Sequence, residues 1–200
     1  MGFFDFLQPK KPKHELKWKL PEARLSLPVE DAEQMVYALK KNKARFASGG
    51  EFADVIHAKK YAENVYAYFL VRTEKKTEKE TIVADPYMLR EEDTLGTEVQ
   101  SSYSMIEDLE KMGYKEVFAR QVTEWRFTYG LLRVAVFQIE DFASFIEIAL
   151  PATKIESARE LQEKQAFALV EKLGFKKEDA IPLDVITIQM LESQSGGSLG

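Results

Sequence analysis

Residues 121 to 150 read QVTEWRFTYGLLRVAVFQIEDFASFIEIAL, and their alternation decides the fold. Apolar and polar residues exchange places with period two in three short runs, the pattern of half-buried strands. In the first run Glu124, Arg126 and Thr128 share one face, and Trp125, Phe127 and Tyr129 share the other. After Gly130 the second run sets Arg133, Ala135 and Phe137 opposite Leu132, Val134 and Val136. The third sets Phe145, Glu147 and Ala149 opposite Ser144, Ile146, Ile148 and Leu150. Three consecutive antiparallel strands are predicted, each with a charged residue on a face of bulky neighbours. Such a face either meets water outside the sheet or lines a barrel interior that is polar because it holds a charged ligand.

Several short motifs recur in a telling order. They are Leu109-Glu110-Lys111-Met112-Gly113-Tyr114 at a helix end, Arg126-x-x-Tyr129, Arg133-Val134-Ala135-Val136, Phe145-Ile146-Glu147-Ile148, and Leu173-Gly174 at the end of a second helix. This run resembles the C-terminal half of the CYTH family, which comprises class IV adenylyl cyclases, thiamine triphosphatases and other triphosphate tunnel metalloenzymes. The resemblance is good over residues 101 to 175 and poor before them. It implies an α+β fold, an antiparallel β-barrel or tunnel of the CYTH type with helices packed outside.

The same resemblance implies phosphate contacts at Arg72, Arg126, Arg133 and Lys19, and divalent metal ligation, by Mg or Mn, at Glu147, Glu98 and Glu22. The chain departs from the family pattern at several of its functional places. Phe137 stands for an aspartate, Ala149 for a glutamate, Glu124 for a lysine, and Leu70 and Ala84 for cations. The first strand fits in two registers, Glu15-x-Lys17-x-Lys19 or Glu22-x-Arg24-x-Ser26, and each lacks the family's middle glutamate.

Composition narrows the chemistry. A net charge of -5 and a pI near 5.3 argue against a general binder of nucleic-acid duplexes. Without cysteine there is no disulfide framework and no thiolate ligand or nucleophile. His14 and His57 are too few for a zinc site, so a bound metal would be held by carboxylates. No apolar run has membrane-spanning length, and the expected compartment is the cytoplasm.

Along the chain, residues 1–13 read as a flexible segment, Phe3, Phe4, Phe6 and Leu7 followed by Pro9-Lys10-Lys11-Pro12-Lys13. It serves either as a disordered start or as a contact with a partner or an anionic membrane surface. Residues 14–192 form a single CYTH-like domain, and 193–200 a flexible tail. A helix is predicted from Glu30 to Phe46, ended by Ser48-Gly49-Gly50. Residues 51–64 read as a short helix or irregular segment carrying a structural or exposed His57. Strands are predicted at 65–72, 80–84 and 94–100. A capping box at Ser104-x-x-Glu107 opens one helix and Ser157-x-x-Glu160 another, and a last short element covers Leu183 to Leu191.

Three functions follow from these readings. The first is a divergent barrel that binds a nucleotide, triphosphate or polyphosphate with little or no turnover. The alternatives are an active magnesium-dependent triphosphatase or adenylyl cyclase, and a non-catalytic interaction scaffold with a closed barrel. Retained arginines beside lost carboxylates favour the first. At least three convergent carboxylates would favour the second, and Phe137 plugging a closed interior the third.

Overall fold

The computed structural model describes residues 23–62, 65–84, 103–151, 153 and 155–195. Seven strands form one antiparallel sheet: β1 (Ala23–Val29), β2 (Arg45–Ala62), β3 (Val65–Glu74), β4 (Glu80–Ala84), β5 (Lys115–Tyr129), β6 (Leu132–Ile139) and β7 (Ser144–Leu150). Their spatial order is β1-β7-β6-β5-β2-β3-β4. Four helices accompany them: α1 (Ala32–Lys41), α2 (Tyr103–Lys111), α3 (Glu156–Lys172) and α4 (Val185–Ser195). The α+β class is as expected, and the central alternation gives the three strands β5, β6 and β7. Closure into a barrel is not: among the described residues β1 and β4 lie at opposite ends of the sheet and do not pair. The predicted strand at 94–100, the residues 1–22 and the tail after 195 lie outside the described residues.

Period-two alternation gives the sheet a front and a back. The back carries Leu27, Phe127, Leu132, Val134, Val136, Ile146, Ile148 and Leu150, all buried, under Met35, Val36 and Leu39 of α1 and Ala166, Leu169 and Val170 of α3. Farther along the same face Phe69 and Val71 pack on Leu109 and Tyr114, beneath α2. The front carries the charged residues, and α4 lies over part of it. Ile186 and Met190 of α4 pack on Ile56, Ala58, Tyr68 and Leu70, while Val185 and Ile188 pack on Val122, Phe137, Ile139 and Phe145.

The chain reaches the front by passing around the β1 edge. Ser26 and Ile181 exchange two backbone hydrogen bonds of 2.8 Å, and the Ser26 hydroxyl donates to the Leu183 carbonyl at 2.7 Å. Asp184 then caps α4, accepting from the Thr187 amide at 2.9 Å, the Thr187 hydroxyl at 2.7 Å and the Tyr68 hydroxyl at 3.0 Å.

Two sequence expectations are corrected at α1 and β2. The helix ends at Lys41, because Lys43 takes a left-handed φ of 67° and the Ala44 amide turns back to the Leu39 carbonyl. Residues 45–62, expected as helix end, glycine stop and irregular segment, form one 18-residue strand. Ladders to β3 on one side and β5 on the other supply the order that its Ala, Ser, Gly and Lys content does not.

Gly49 is needed for close approach rather than for a turn: a Cβ there would sit 2.8 Å from the Glu124 carbonyl oxygen of β5. Gly49→Ala is expected to cost about 1–3 kcal/mol in urea unfolding. An unchanged midpoint would contradict that contact.

Candidate functional site

The front-face residues fall into rows that cross the sheet in register. One row runs Arg24, Ala149, Arg133, Thr128 from β1 to β5. The next runs Ser26, Glu147, Ala135, Arg126, Ser48. A third runs Pro28, Phe145, Phe137, Glu124, Gly50. Farther along, Arg120 of β5, Asp54 of β2 and Arg72 of β3 lie side by side. Long guanidinium side chains therefore stand on β1, β6, β5 and β3, with Ala149 of β7 between Arg24 and Arg133.

The inner part of this face is a buried ion network. Asp54 accepts from Arg72 in bidentate fashion, at 2.7 and 2.9 Å, and from Arg120 Nε at 3.1 Å. The other Arg72 branch donates to Glu124, and Arg120 Nη1 donates to Gln189 of α4. The Arg72 guanidinium also lies 4.4 Å from the centre of the Phe52 ring. Burial works against the charge of Arg72, but Asp54 and Glu124 more than offset it and raise its pKa. Burial likewise pushes the Glu124 carboxyl up, and the Arg72 and Arg126 guanidiniums reverse this, holding it below the ordinary carboxylate value.

That inversion predicts a pH dependence. A carboxylate with a depressed native pKa contributes stability above its unfolded pKa of about 4.3, and the contribution is lost as pH falls through the native pKa. Wild-type stability should therefore fall more steeply than that of Glu124→Gln between about pH 5 and pH 3. Parallel curves in urea titrations would contradict the assignment.

The outer part of the face is more open. Arg126 donates to Glu124, yet its side chain remains 54% exposed. Arg133 is half-buried, its pKa lowered by burial, and its cross-strand neighbours are Thr128 and Ala149. Arg24 donates to Glu147 at 2.8 Å, and the second Glu147 oxygen accepts from the Val185 amide at 3.1 Å.

Of the residues singled out in the sequence, Arg126, Arg133 and Glu147 lie together on these two rows, whereas Arg72 is committed to the inner network. Leu70 is buried under α4 and Phe137 is buried against Val185 and Ile188. Lys19, Glu22 and Glu98 lie outside the described residues. His57 is buried and stacked on Phe69 at 4.9 Å, its pKa lowered by burial despite Glu116 and Glu110. Sequence reasoning missed Asp54, Arg120, Asp184 and Gln189. Asp54 and Arg120 share a row with Arg72, but that register becomes visible only once β2 is recognised as a strand.

The described carboxylates do not fit a divalent metal. Both oxygens of Asp54, of Glu124 and of Glu147 are already occupied by guanidinium or amide donors. No group of three or more His, Cys, Asp or Glu able to hold a metal occurs among the described residues. No step through a metal is therefore derived.

No protein-family model matches this sequence, and no curated protein matches it. Solved structures do resemble the fold. A protein of Pyrococcus horikoshii superposes with a TM-score of 0.62 at 21% identity, over 82% of this chain and 97% of its own. A candidate adenylate cyclase from Vibrio parahaemolyticus superposes with a TM-score of 0.64 at 15% identity, over 87% of this chain and 99% of its own. A chain of the Schizosaccharomyces pombe Mediator head module gives 0.50 at 12% identity, over 76% of this chain and 94% of its own. At these identities the likeness shows the fold alone, an α+β fold shared with these structures. No helix of the described residues is long and apolar enough to cross a membrane.

Proposed function

We propose that this protein is a divergent CYTH-like fold that binds a phosphate-bearing anion at the outer front face, with little or no turnover. The observation that carries the reading is the placement of Arg24, Arg126 and Arg133 on two adjacent rows around Ala135 and Ala149. Guanidinium forks bind phosphate oxygens bidentately. Arg72 takes an electrostatic part from within, because two carboxylates already engage it. Lys19, from the segment preceding β1, is assigned as a further cation for the ligand. The description of the Vibrio parahaemolyticus neighbour as a candidate adenylate cyclase supports a nucleotide or triphosphate as the ligand class.

The described carboxylates support a reading with little or no turnover. Polarising a phosphoryl group and stabilising its leaving oxygen ordinarily requires divalent ions held by free carboxylate oxygens. Here those oxygens face arginines and a backbone amide. Calorimetric titration of tripolyphosphate in EDTA should show binding, and incubation with ATP and magnesium should release phosphate no faster than the buffer control. Magnesium-dependent release well above that control would overturn the non-catalytic part.

A second reading rests on α4. Phe137 is buried against Val185 and Ile188 of α4, and a fold of this kind occurs in the Schizosaccharomyces pombe Mediator head module. An interaction scaffold would bind no phosphate ligand, so the same titration separates the two.

A further inference from the structure

The row that runs Arg24, Ala149, Arg133 and Thr128 does not stop at β5. Its next member is Arg45, the first residue of β2, directly opposite Thr128. In the adjoining row Ser48 lies opposite Arg126. Strict alternation would send Arg45 and Ser48 to opposite faces, because they are three positions apart. The register shift between Phe46 and Ser48 takes up Ala47 as an extra residue and brings both to the front. The residues on either side of Arg45 hold it there. Ala44 is buried, with its amide on the Leu39 carbonyl, and Phe46 turns to the back, where its ring meets that of Phe127 edge-on at 5.6 Å between centres.

This part of the front face is open to solvent. Arg45, Ser48 and Thr128 are exposed, the Arg126 side chain is 54% exposed, and Arg133 is half-buried. Arg45 forms no ion pair with a described residue, so an arriving anion displaces no carboxylate from it. Glu124, the carboxylate of the next row, is already held by Arg72 and Arg126.

We infer that Arg45 is a further binding residue of the anion site, which thereby continues across β5 onto β2, and that the ligand is a chain of linked phosphates lying across these strands rather than a single phosphate. This rests on the anion-binding reading above. Arg133, Arg126 and Arg45 stand on the neighbouring strands β6, β5 and β2. Two strand spacings separate the first from the last, about 10 Å. A guanidinium fork engages two oxygens of one phosphate group, so three forks in file match a phosphate chain better than one group. The Thr128 and Ser48 hydroxyls supply neutral donors between them.

The test is calorimetric titration of the full chain with tripolyphosphate in EDTA, with orthophosphate affinity measured by displacement. Arg45→Ala should lose about tenfold or more in tripolyphosphate affinity, the worth of one charge-assisted contact. Its orthophosphate affinity should change by less than about twofold. Lys41→Ala, which removes the same charge from the exposed end of α1 beneath the back of the sheet, should leave both affinities unchanged. Arg45→Lys should recover part of the loss, since it keeps the charge without the fork. Arg45 is exposed, and an unchanged urea midpoint verifies that the variant is folded. Should Arg45→Ala fail to fold, Arg45→Gln carries the same expectation.

Full tripolyphosphate affinity in Arg45→Ala overturns the role of Arg45 while leaving the site at Arg126 and Arg133 intact. Equal losses in Arg45→Ala and Lys41→Ala also overturn it, because a diffuse positive field would then account for both. Equal losses for tripolyphosphate and orthophosphate in Arg45→Ala overturn the phosphate chain. Failure of the wild type to bind tripolyphosphate overturns the anion site itself, and the place of Arg45 with it.

Discussion

Asp54→Ala is expected to destabilise the fold by about 3–5 kcal/mol, the cost of removing one partner from a buried ion pair. Asp54 has no exposed side-chain surface and is the common acceptor for two guanidiniums that are themselves buried. Without it, Arg72 keeps only Glu124 and Arg120 keeps only Gln189 as the polar partners that remain in this network. Against a typical total of about 5–15 kcal/mol this is a large fraction. The melting temperature should fall by roughly 6–20 °C for a chain of this size. A loss below about 1 kcal/mol would mean that the network is not organised around Asp54. Asp54→Asn, which keeps the shape and half of the acceptors, should fall between the two.

The second large effect concerns binding. Replacing Arg126 and Arg133 together by alanine should abolish detectable tripolyphosphate affinity, since each charge-assisted contact is worth about 1.5–3 kcal/mol, or roughly one to two powers of ten. Stability should change far less. Arg126 is 54% exposed, so its pairing with Glu124 is screened by solvent, and Glu124 retains Arg72 when Arg126 is removed. Separation of the two effects is the point: a double variant that melts normally and binds normally would remove these arginines from the site. Arg133→Lys, which keeps the charge without the planar fork, should recover only part of the affinity.

How much of this was legible in the sequence depends on where the information lies. The faces of β5, β6 and β7 could be read directly, because Trp125, Phe127 and Tyr129 alternate with Glu124, Arg126 and Thr128, and alternation fixes the face whatever the partner strand. The covering of the charged face could not. Water and a lined interior were both open readings of the pattern, with water favoured, whereas the fold buries Glu124 and Glu147 within a guanidinium network and under α4. Val185, Ile188 and Leu191 marked the last element as apolar in part, but periodicity carries no address. Its place on the front face follows from the Ser26–Ile181 bridge around the sheet edge.

β2 was hidden for a different reason. Residues 45–62 contain Ser48-Gly49-Gly50 and several lysines and alanines, a composition with weak strand preference, and the strand forms because it pairs on both sides. Its misreading concealed Asp54 as well, and with Asp54 the fact that Arg72 is internally neutralised. The resemblance in residues 101 to 175 pointed to an α+β fold with an antiparallel sheet, and solved structures that include a candidate adenylate cyclase share the fold.

The replacements themselves have a consistent sense. Phe137 packs on α4, Ala149 stands between Arg24 and Arg133, and Glu124 anchors Arg72 and Arg126. Where the resemblance implied an aspartate, a glutamate and a lysine, these positions hold a packing residue, a small residue and a carboxylate paired with arginines. The anion proposed above would lie on the outer rows.

The most direct measurement of this account is the melting temperature of the protein with tripolyphosphate, in EDTA and in magnesium. A ligand present at about 100 times its dissociation constant stabilises the folded state by roughly 2.7 kcal/mol, a shift of several degrees. The account predicts an upward shift of that size in EDTA, undiminished by the absence of magnesium. A shift that appears only with magnesium, or no shift under either condition, would contradict it.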